Sequence, residues 1–444
     1  MRLSSIPKKA AVGIGSCGLA LLPASPAIAE VSAETQYILN TLSYLYHGML
    51  VLFMATGFTM LEGGLVRTKS VSTILLKNIT LVAIATIGFW AAGYNLMFTG
   101  VDGGFFGTFA VWSPVDDAAQ SGDYSSGAAS ASVWLFQSLF AVTAVSIISG
   151  TLAERIRLWP FFMFVAIMVT LLYPIQGAWG WGGGWLSEMG FVDFAGGTHV
   201  HTTAGWAALI GAIILGPRRG RFLPDGSVRA LASSSLPLAT LGTMILWLGW
   251  LGFNGGSQGS MSSAADVIII AQVYVNTIMA SCGGIVAAVA LTQLTTRKVD
   301  LTMVLNGALA GLVSITAGPV TPGIAGALLI GATGTILMAA TTRLLLRFKI
   351  DDVVGAVPVH LTCGIWGTIA VAFSNPAATF TTQIIGAAAV SAFMILASTA
   401  VWLTLKVRMR LRLSQGEEAM GIDRVETGAL AYPEFARKTV SGLD

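Results

Sequence analysis

The stretch Val200-His201-Thr202-Thr203-Ala204-Gly205 recurs as Val359-His360-Leu361-Thr362-Cys363-Gly364. Both copies read V-H-x-T-x-G, and each holds one of the 4 histidines in the 444-residue chain. Both lie inside apolar runs. A bilayer crossing needs about 20 apolar residues, and cutting the runs at charged or Gly/Pro/Asp-rich interruptions predicts eleven spans. Their centres fall near Met54, Thr86, Val142, Ile167, Ala208, Leu246, Ala280, Ala310, Leu329, Ile365 and Ile395. The two copies sit in the fifth and tenth spans, and elements five spans apart cross a membrane in opposite directions. The expected architecture is therefore an all-α membrane protein of two inverted five-helix repeats, facing each other about a mid-membrane axis, plus an eleventh helix.

Composition leads to the same class. The chain is 55% hydrophobic and only 10% charged, with a mean hydropathy of +0.77, against the roughly 25% charged residues of a soluble domain. With 24 Lys+Arg balanced by 21 Asp+Glu, no basic patch is dense enough to hold a phosphate backbone, so nucleic acid is excluded as a partner. After the N-terminal region the cations gather at Arg67/Lys69/Lys77, Arg155/Arg157, Arg218/Arg219/Arg221/Arg229, Arg297/Lys298, Arg343/Arg347/Lys349 and from Lys406 onward. On an eleven-span count every group falls on one side. The opposite connections, including residues 100–130 with Asp102, Asp116, Asp117 and Asp123, contain no Lys or Arg. The positive-inside rule then predicts an outer N-terminus and an inner C-terminus; a wrong count would scatter the clusters to both sides.

Arg2, Lys8 and Lys9 precede an apolar stretch (10–22) and the small-residue site Ala27-Ile28-Ala29, the pattern of a secretory signal peptide over residues 1–29. A lipoprotein reading of Cys17 fits less well, because the apolar region follows that cysteine. The expected division is a membrane domain over 30–407 and a cytoplasmic tail over 408–444, as a multi-pass protein of the inner (plasma) membrane surrounded by lipid. Cys282 and Cys363 lie within apolar stretches, so neither a disulfide nor a thiolate metal site is expected.

A charge at the bilayer centre costs about 2.5 to 3.5 kcal/mol on insertion scales, so each intramembrane ionisable group needs a reason. His201 and His360 occupy equivalent places in the two halves, and the pseudo-symmetry should bring them together near the midplane. Two imidazoles in contact share a proton and offer a donor and an acceptor to a small polar guest. The plainer reading is that each histidine ties helices together. Zinc needs about four ligands, and no Cys or carboxylate stands ready to complete a set, so neither metal nor cofactor is expected. His199, about 200° around a helix from His201, should point away from the pair unless the helix is broken there; His47 begins the first span. Both are read as structural, with His199 open as part of an entrance.

Phe136 and Phe140 are four apart and share a helical face. With Trp181 in an outward Gly-rich loop and Phe253 at the outer end of the sixth span, they could form π walls around a cation, or simply be core. Asp193, ahead of Phe194-Ala195-Gly196-Gly197, reads either as a clamp on backbone donors at a helix start or as a counter-charge for cations. Glu62, Glu154 and Arg155 read as ordinary interfacial ion pairs.

Taken together these strings resemble the ammonium transporter family (Amt/MEP/Rh), and its bacterial Amt branch in particular. The resemblance rests on Met60-Leu61-Glu62-Gly63-Gly64-Leu65-Val66-Arg67, Ala153-Glu154-Arg155-Ile156-Arg157, Asp193-Phe194-Ala195-Gly196-Gly197-Thr198, Gly252-Phe253-Asn254-Gly255-Gly256-Ser257 and Asn306-Gly307-Ala308-Leu309-Ala310-Gly311-Leu312-Val313, over most of residues 40 to 433. It implies a homotrimer with one narrow hydrophobic pore per subunit and no enzymatic chemistry. It further implies an outer ammonium recruitment site at Phe140, Trp181 and Ser257 with Phe136 nearby, supported by Asp193. Beneath it would lie a phenylalanine gate of Phe140 and Phe253, the twin histidines His201 and His360, and Thr316 facing the inner path. Residues 421–432 resemble the family's regulatory tail, onto which a PII signalling protein can dock; Thr427 departs from the His frequent there, and His199 stands where an apolar residue is usual. The competing reading is an ammonium sensor on the same pore fold, against which stands the short segment after Leu411. A membrane enzyme lacks its nucleophile-base or metal constellation, and an ion-coupled carrier of a larger solute lacks its intramembrane charges.

Overall fold

A computed structural model describes residues 31–435, and over them the chain is helical: the described residues contain no β-strand, only the isolated bridges Ile156 to Arg412 and Phe222 to Val228. The signal peptide expected over 1–29 lies outside the described residues. Nine helices among the described residues are long and apolar enough to cross a membrane: α1 (Ala33–Leu65), α2 (Thr68–Phe98), α3 (Ser130–Leu152), α4 (Leu158–Glu188), α5 (Gly197–Leu215), α6 (Leu236–Gly256), α7 (Ala264–Thr296), α9 (Gly323–Arg347) and α11 (Phe380–Arg408). Two shorter apolar helices, α8 (Leu301–Thr316) and α10 (Val357–Phe373), complete the set. Each expected span centre falls within one of these elements.

Local chemistry sets their starts. Ser32, Ser235, Ser263, Asp300 and Thr379 each accept a backbone N–H of the first turn of the helix that follows, satisfying donors that would otherwise be orphaned in an apolar setting. The Asp116 carboxylate does the same for α3 from a distance, accepting from Ser130 N and Ala131 N.

Between helices, lipid supplies no hydrophobic drive, so association relies on close van der Waals packing through small residues. α1 and α6 meet in this way. A Cβ on Gly64 would stand 2.4 Å from Ala239 N, and one on Gly242 would stand 2.2 Å from Leu61 N, so the two backbones touch where only glycine fits. Four of the helices also carry a π-helical turn: Phe89–Gly93 in α2, Met168–Leu172 in α4, Gly197–Thr202 in α5 and Val357–Thr362 in α10. The last two hold His201 and His360.

At one end of the bundle the cationic connections converge. Arg218 grips Asp351 (Nε to Oδ2 2.8 Å) and Glu154 (Nη1 to Oε1 2.5 Å), and Glu154 also pairs with Arg67. The tail closes over this cluster. Arg157 pairs with Glu417 and Glu426, Lys69 donates to the Glu418 and Ala419 carbonyls, and the Asp423 carboxylate accepts Ser72 N and Thr73 N at the start of α2. A short helix, α12 (Gln415–Met420), is fixed by a Ser414/Glu417 capping box. One expectation changes here. Arg155 is buried and, among the described residues, makes no ion pair, donating instead to the carbonyls of Thr151, Ala153, Gly216 and Asp351. Lys77 is 2% exposed, with its ammonium 2.8 Å from the Ser149 carbonyl and 4.7 Å from the centre of the Phe161 ring.

The backbone contact predicts that Gly242→Leu abolishes a monodisperse detergent-solubilised protein by size-exclusion chromatography, because the side chain would have to displace a main chain. Gly416→Ala, with open space around its Cβ, serves as the neutral control. A second prediction concerns acid. Burial pushes the Asp351 carboxyl up, but the hydrogen bonds and charge of Arg218 outweigh it and hold the group at about 2. A depressed carboxyl stabilises the fold above its ordinary value near 4, by on the order of 2 kcal/mol here, and that contribution fades as pH falls through about 2. The melting-temperature gap between wild type and Asp351→Asn should therefore be constant from pH 7 to about pH 4 and shrink below it.

Candidate functional site

The two histidine segments are built alike. The Asp193 carboxylate accepts N–H bonds from Gly196, Thr198 and His199 (3.1, 2.9 and 2.8 Å), clamping the start of α5. Asp352 accepts from Gly355 and Val357 (3.1 and 2.7 Å) at the start of α10. Each carboxylate stands eight positions before its histidine, 193 to 201 and 352 to 360. The Asp352 clamp is absent from the sequence analysis above, although extending the repeat upstream by seven residues exposes it.

The clamped turns deliver the two imidazoles to each other. His201 Nδ1 and His360 Nδ1 lie 3.2 Å apart, with ring centres 5.1 Å apart and planes tilted by 31°. Both rings are buried. A neutral imidazole carries one N–H, and the contact uses one Nδ1–H between the two rings. One ring therefore presents a bare Nε2 and the other an Nε2–H; a proton gained at the bare Nε2, the shared proton crossing, and a proton lost from the other Nε2 together exchange these roles. Among the described residues His201 Nε2 meets no hydrogen-bond partner. Trp250 lies nearly parallel to His201, with centres 5.1 Å apart, and fixes its plane.

On one side of the pair, aromatic rings lead to a cavity. Phe253 is 5.6 Å from His201 and stacks on Phe140 with centres 3.9 Å apart and planes within 12°. Beyond this stack opens a cavity of about 170 Å³, lined by Tyr44, Phe136, Phe140, Trp181 and Ser257 among others. The Trp181 Nε1–H donates to the Asp193 carbonyl (2.7 Å), which pins the indole. The Ser257 hydroxyl donates to the Phe253 carbonyl (2.8 Å), leaving its oxygen lone pairs for a donor in the cavity. The structure thus brings together Phe136, Phe140, Trp181 and Ser257, with Phe253 stacked behind Phe140. Asp193 stands behind the wall and acts on backbone N–H groups, the clamp geometry.

On the other side, His360 borders a cavity of about 10 Å³ lined also by Phe58, Glu62, Ile147, Asn306 and Leu309. Glu62 is not an interfacial ion pair: it is 1% exposed and accepts from Asn78 and Ser149. Thr316 borders neither cavity. Its hydroxyl donates to the Leu312 carbonyl and accepts the Trp250 indole N–H, and its carbonyl accepts Ala195 N beside the Asp193 clamp, away from the Glu62 end. His199 is turned from the pair, with Nδ1 2.8 Å from Gln176 Oε1 and its ring 5.1 Å from Trp181. His47 holds the Ser43 carbonyl (2.8 Å).

The profile described as Ammonium Transporter Family matches residues 42–432. The chain belongs to the ammonium transporter family. A relative from Synechocystis is 38% identical over 404 residues, 89% of this chain and 90% of its own. Ammonium transporter Amt2 of Archaeoglobus fulgidus is 36% identical over 418 residues, 87% of each chain. Among solved structures, one described as a Sensor Amt Protein superposes with a TM-score of 0.83 at 33% identity, covering 89% of this chain and all of that one. Within this ammonium transporter fold the imidazole contact makes a spectroscopic prediction. Nitrogen-15 NMR of histidine-labelled protein should find one Nδ1–H and one Nε2–H tautomer for the pair, and His360→Ala should remove the Nδ1–H signal. Two Nε2–H tautomers would contradict the shared hydrogen bond.

Proposed function

We propose that the chain is an ammonium transporter that recruits ammonium at the outer aromatic cavity, strips it of a proton at the histidine pair and conducts ammonia along an apolar pore. The observation that carries this reading is the 3.2 Å imidazole contact set directly behind the Phe140/Phe253 stack. Ammonium and potassium are alike in charge and size, so a plain cation hole would pass both; only ammonium can donate hydrogen bonds and give up a proton. A desolvated ion in an apolar passage carries a large penalty, whereas neutral ammonia does not. The Trp181 face and the Phe136 and Phe140 rings suit a cation, and the Ser257 oxygen suits its N–H. No covalent bond other than N–H is made or broken, so the protein is no enzyme.

The same reading takes the described helices as eleven spans with the Phe140 cavity outside and the charged cluster inside, between a cleaved signal peptide at 1–29 and a cytoplasmic tail from 408, as a homotrimer in the inner (plasma) membrane. The convergence of cationic connections and tail on one end of the bundle supports that orientation. A PII protein is the proposed partner at that face.

The test is uptake of radiolabelled methylammonium into proteoliposomes holding the purified protein, with unlabelled ammonium as competitor. Uptake above protein-free vesicles, suppressed by ammonium, is expected; none, with the protein correctly inserted, overturns transport and leaves the sensor alternative. Trp181→Leu should raise the half-saturating concentration by about 2- to 30-fold, the range of a cation-π contact of about 0.5 to 2 kcal/mol, with little change in maximal rate.

A further inference from the structure

The transport reading leaves one buried acid unused. Glu62 is 1% exposed. Its Oε2 accepts Asn78 Nδ2 (3.0 Å) and Ser149 Oγ (2.7 Å), while among the described residues Oε1 has no hydrogen-bond partner. A carboxylate oxygen buried without a donor costs several kcal/mol in an apolar setting unless something visits it. The residue lines the small cavity that His360 also lines. Phe58, one helical turn before Glu62 on α1, has its ring 6.1 Å from the His360 ring, so the carboxyl lies about one turn, roughly 6 Å, further along the path. The cavity, about 10 Å³, is near the lower limit for one water. Lys77, held 2.8 Å from the Ser149 carbonyl, supplies positive charge to the same cluster.

We infer that Glu62 is the inner proton-exchange group of the pore, an inference that rests on the transport reading above. Ammonium deprotonated at the outer Nε2 leaves His201 an imidazolium, whose Nδ1 proton crosses the 3.2 Å hydrogen bond to His360 Nδ1 and carries the positive charge to His360. The His360 N–H bond facing the small cavity breaks, its proton passes to a bridging water, and that water gives a proton to Glu62 Oε1. The electron pair left on nitrogen restores the neutral imidazole, and the carboxylate becomes a carboxylic acid. Ammonia arriving through the apolar passage takes that proton, leaves as ammonium and regenerates the carboxylate. One ammonium and one positive charge cross per cycle.

A purely structural role makes a different prediction, because glutamine keeps an oxygen for Asn78 and Ser149 while losing the proton. Wild type and Glu62→Gln are compared in proteoliposomes, by current on a supported membrane during an ammonium jump and by labelled methylammonium uptake. The expected result is a current at least tenfold smaller in Glu62→Gln with uptake retained, since the neutral molecule still passes. A Glu62→Gln current within twofold of wild type overturns the relay. Wild-type uptake without current also overturns it while sparing the pore, and no wild-type uptake removes the transport reading itself. Should Glu62→Gln fail to fold, infrared difference spectra of wild type with and without ammonium decide: a carboxylic C=O band that shifts in Glu62→Asp supports the relay, and its absence overturns it.

Discussion

The hydrogen bond between His201 Nδ1 and His360 Nδ1 constrains more of this fold than any other contact. Two polar rings in an apolar interior are tolerable only if each satisfies the other, and at 3.2 Å they do so with one proton. Their helices must therefore cross closely: a Cβ on Gly205 would stand 2.6 Å from Leu361 Cβ, and one on Gly364 would stand 2.5 Å from the Gly197 carbonyl. The π-helical turns at 197–202 and 357–362 provide that aim, because a wider turn redirects a side chain that a regular helix would point elsewhere. The Asp193 and Asp352 clamps then satisfy the backbone donors those irregular starts expose.

Around this contact the interior is arranged to stay dry. The stacked Phe140 and Phe253 separate the larger cavity from the imidazoles, Trp250 covers a face of His201, and the far cavity holds no more than a water beside His360. Glycines at the α1/α6 seam bring backbones together where longer side chains would wedge the halves apart. The cations gather at one end and the opposite connections carry only acids; Glu62 and Lys77 are buried, which marks them as exceptions needing a purpose.

Much of this is legible in the sequence. The duplicated V-H-x-T-x-G alone argues for paired histidines, since two copies five spans apart face opposite ways. The Phe140/Phe253 stack is not: the residues come from helices far apart in sequence, and periodicity on either helix is equally consistent with core packing, so only the family resemblance joined them. Hydropathy sets Glu62 at an interface because it locates a span boundary only to within several residues, and an end residue becomes a buried one when a helix runs as long as Ala33–Leu65. The family resemblance points Thr316 toward the inner path, yet its hydroxyl is engaged by Leu312 and Trp250. The Asp352 clamp is legible only when the repeat is followed upstream past Val359, because between Asp352 and Val359 the two copies match only at Gly355.

A passage governed by the imidazole pair admits a solute that can surrender a proton and refuses one that cannot. The most direct measurement is uptake of ammonium and of rubidium, standing in for potassium, into the same wild-type proteoliposomes under equal gradients. The account predicts ammonium entry with rubidium no faster than in protein-free vesicles. Comparable rates for the two ions would mean that a hydrated cation hole, and not the imidazole pair, governs passage.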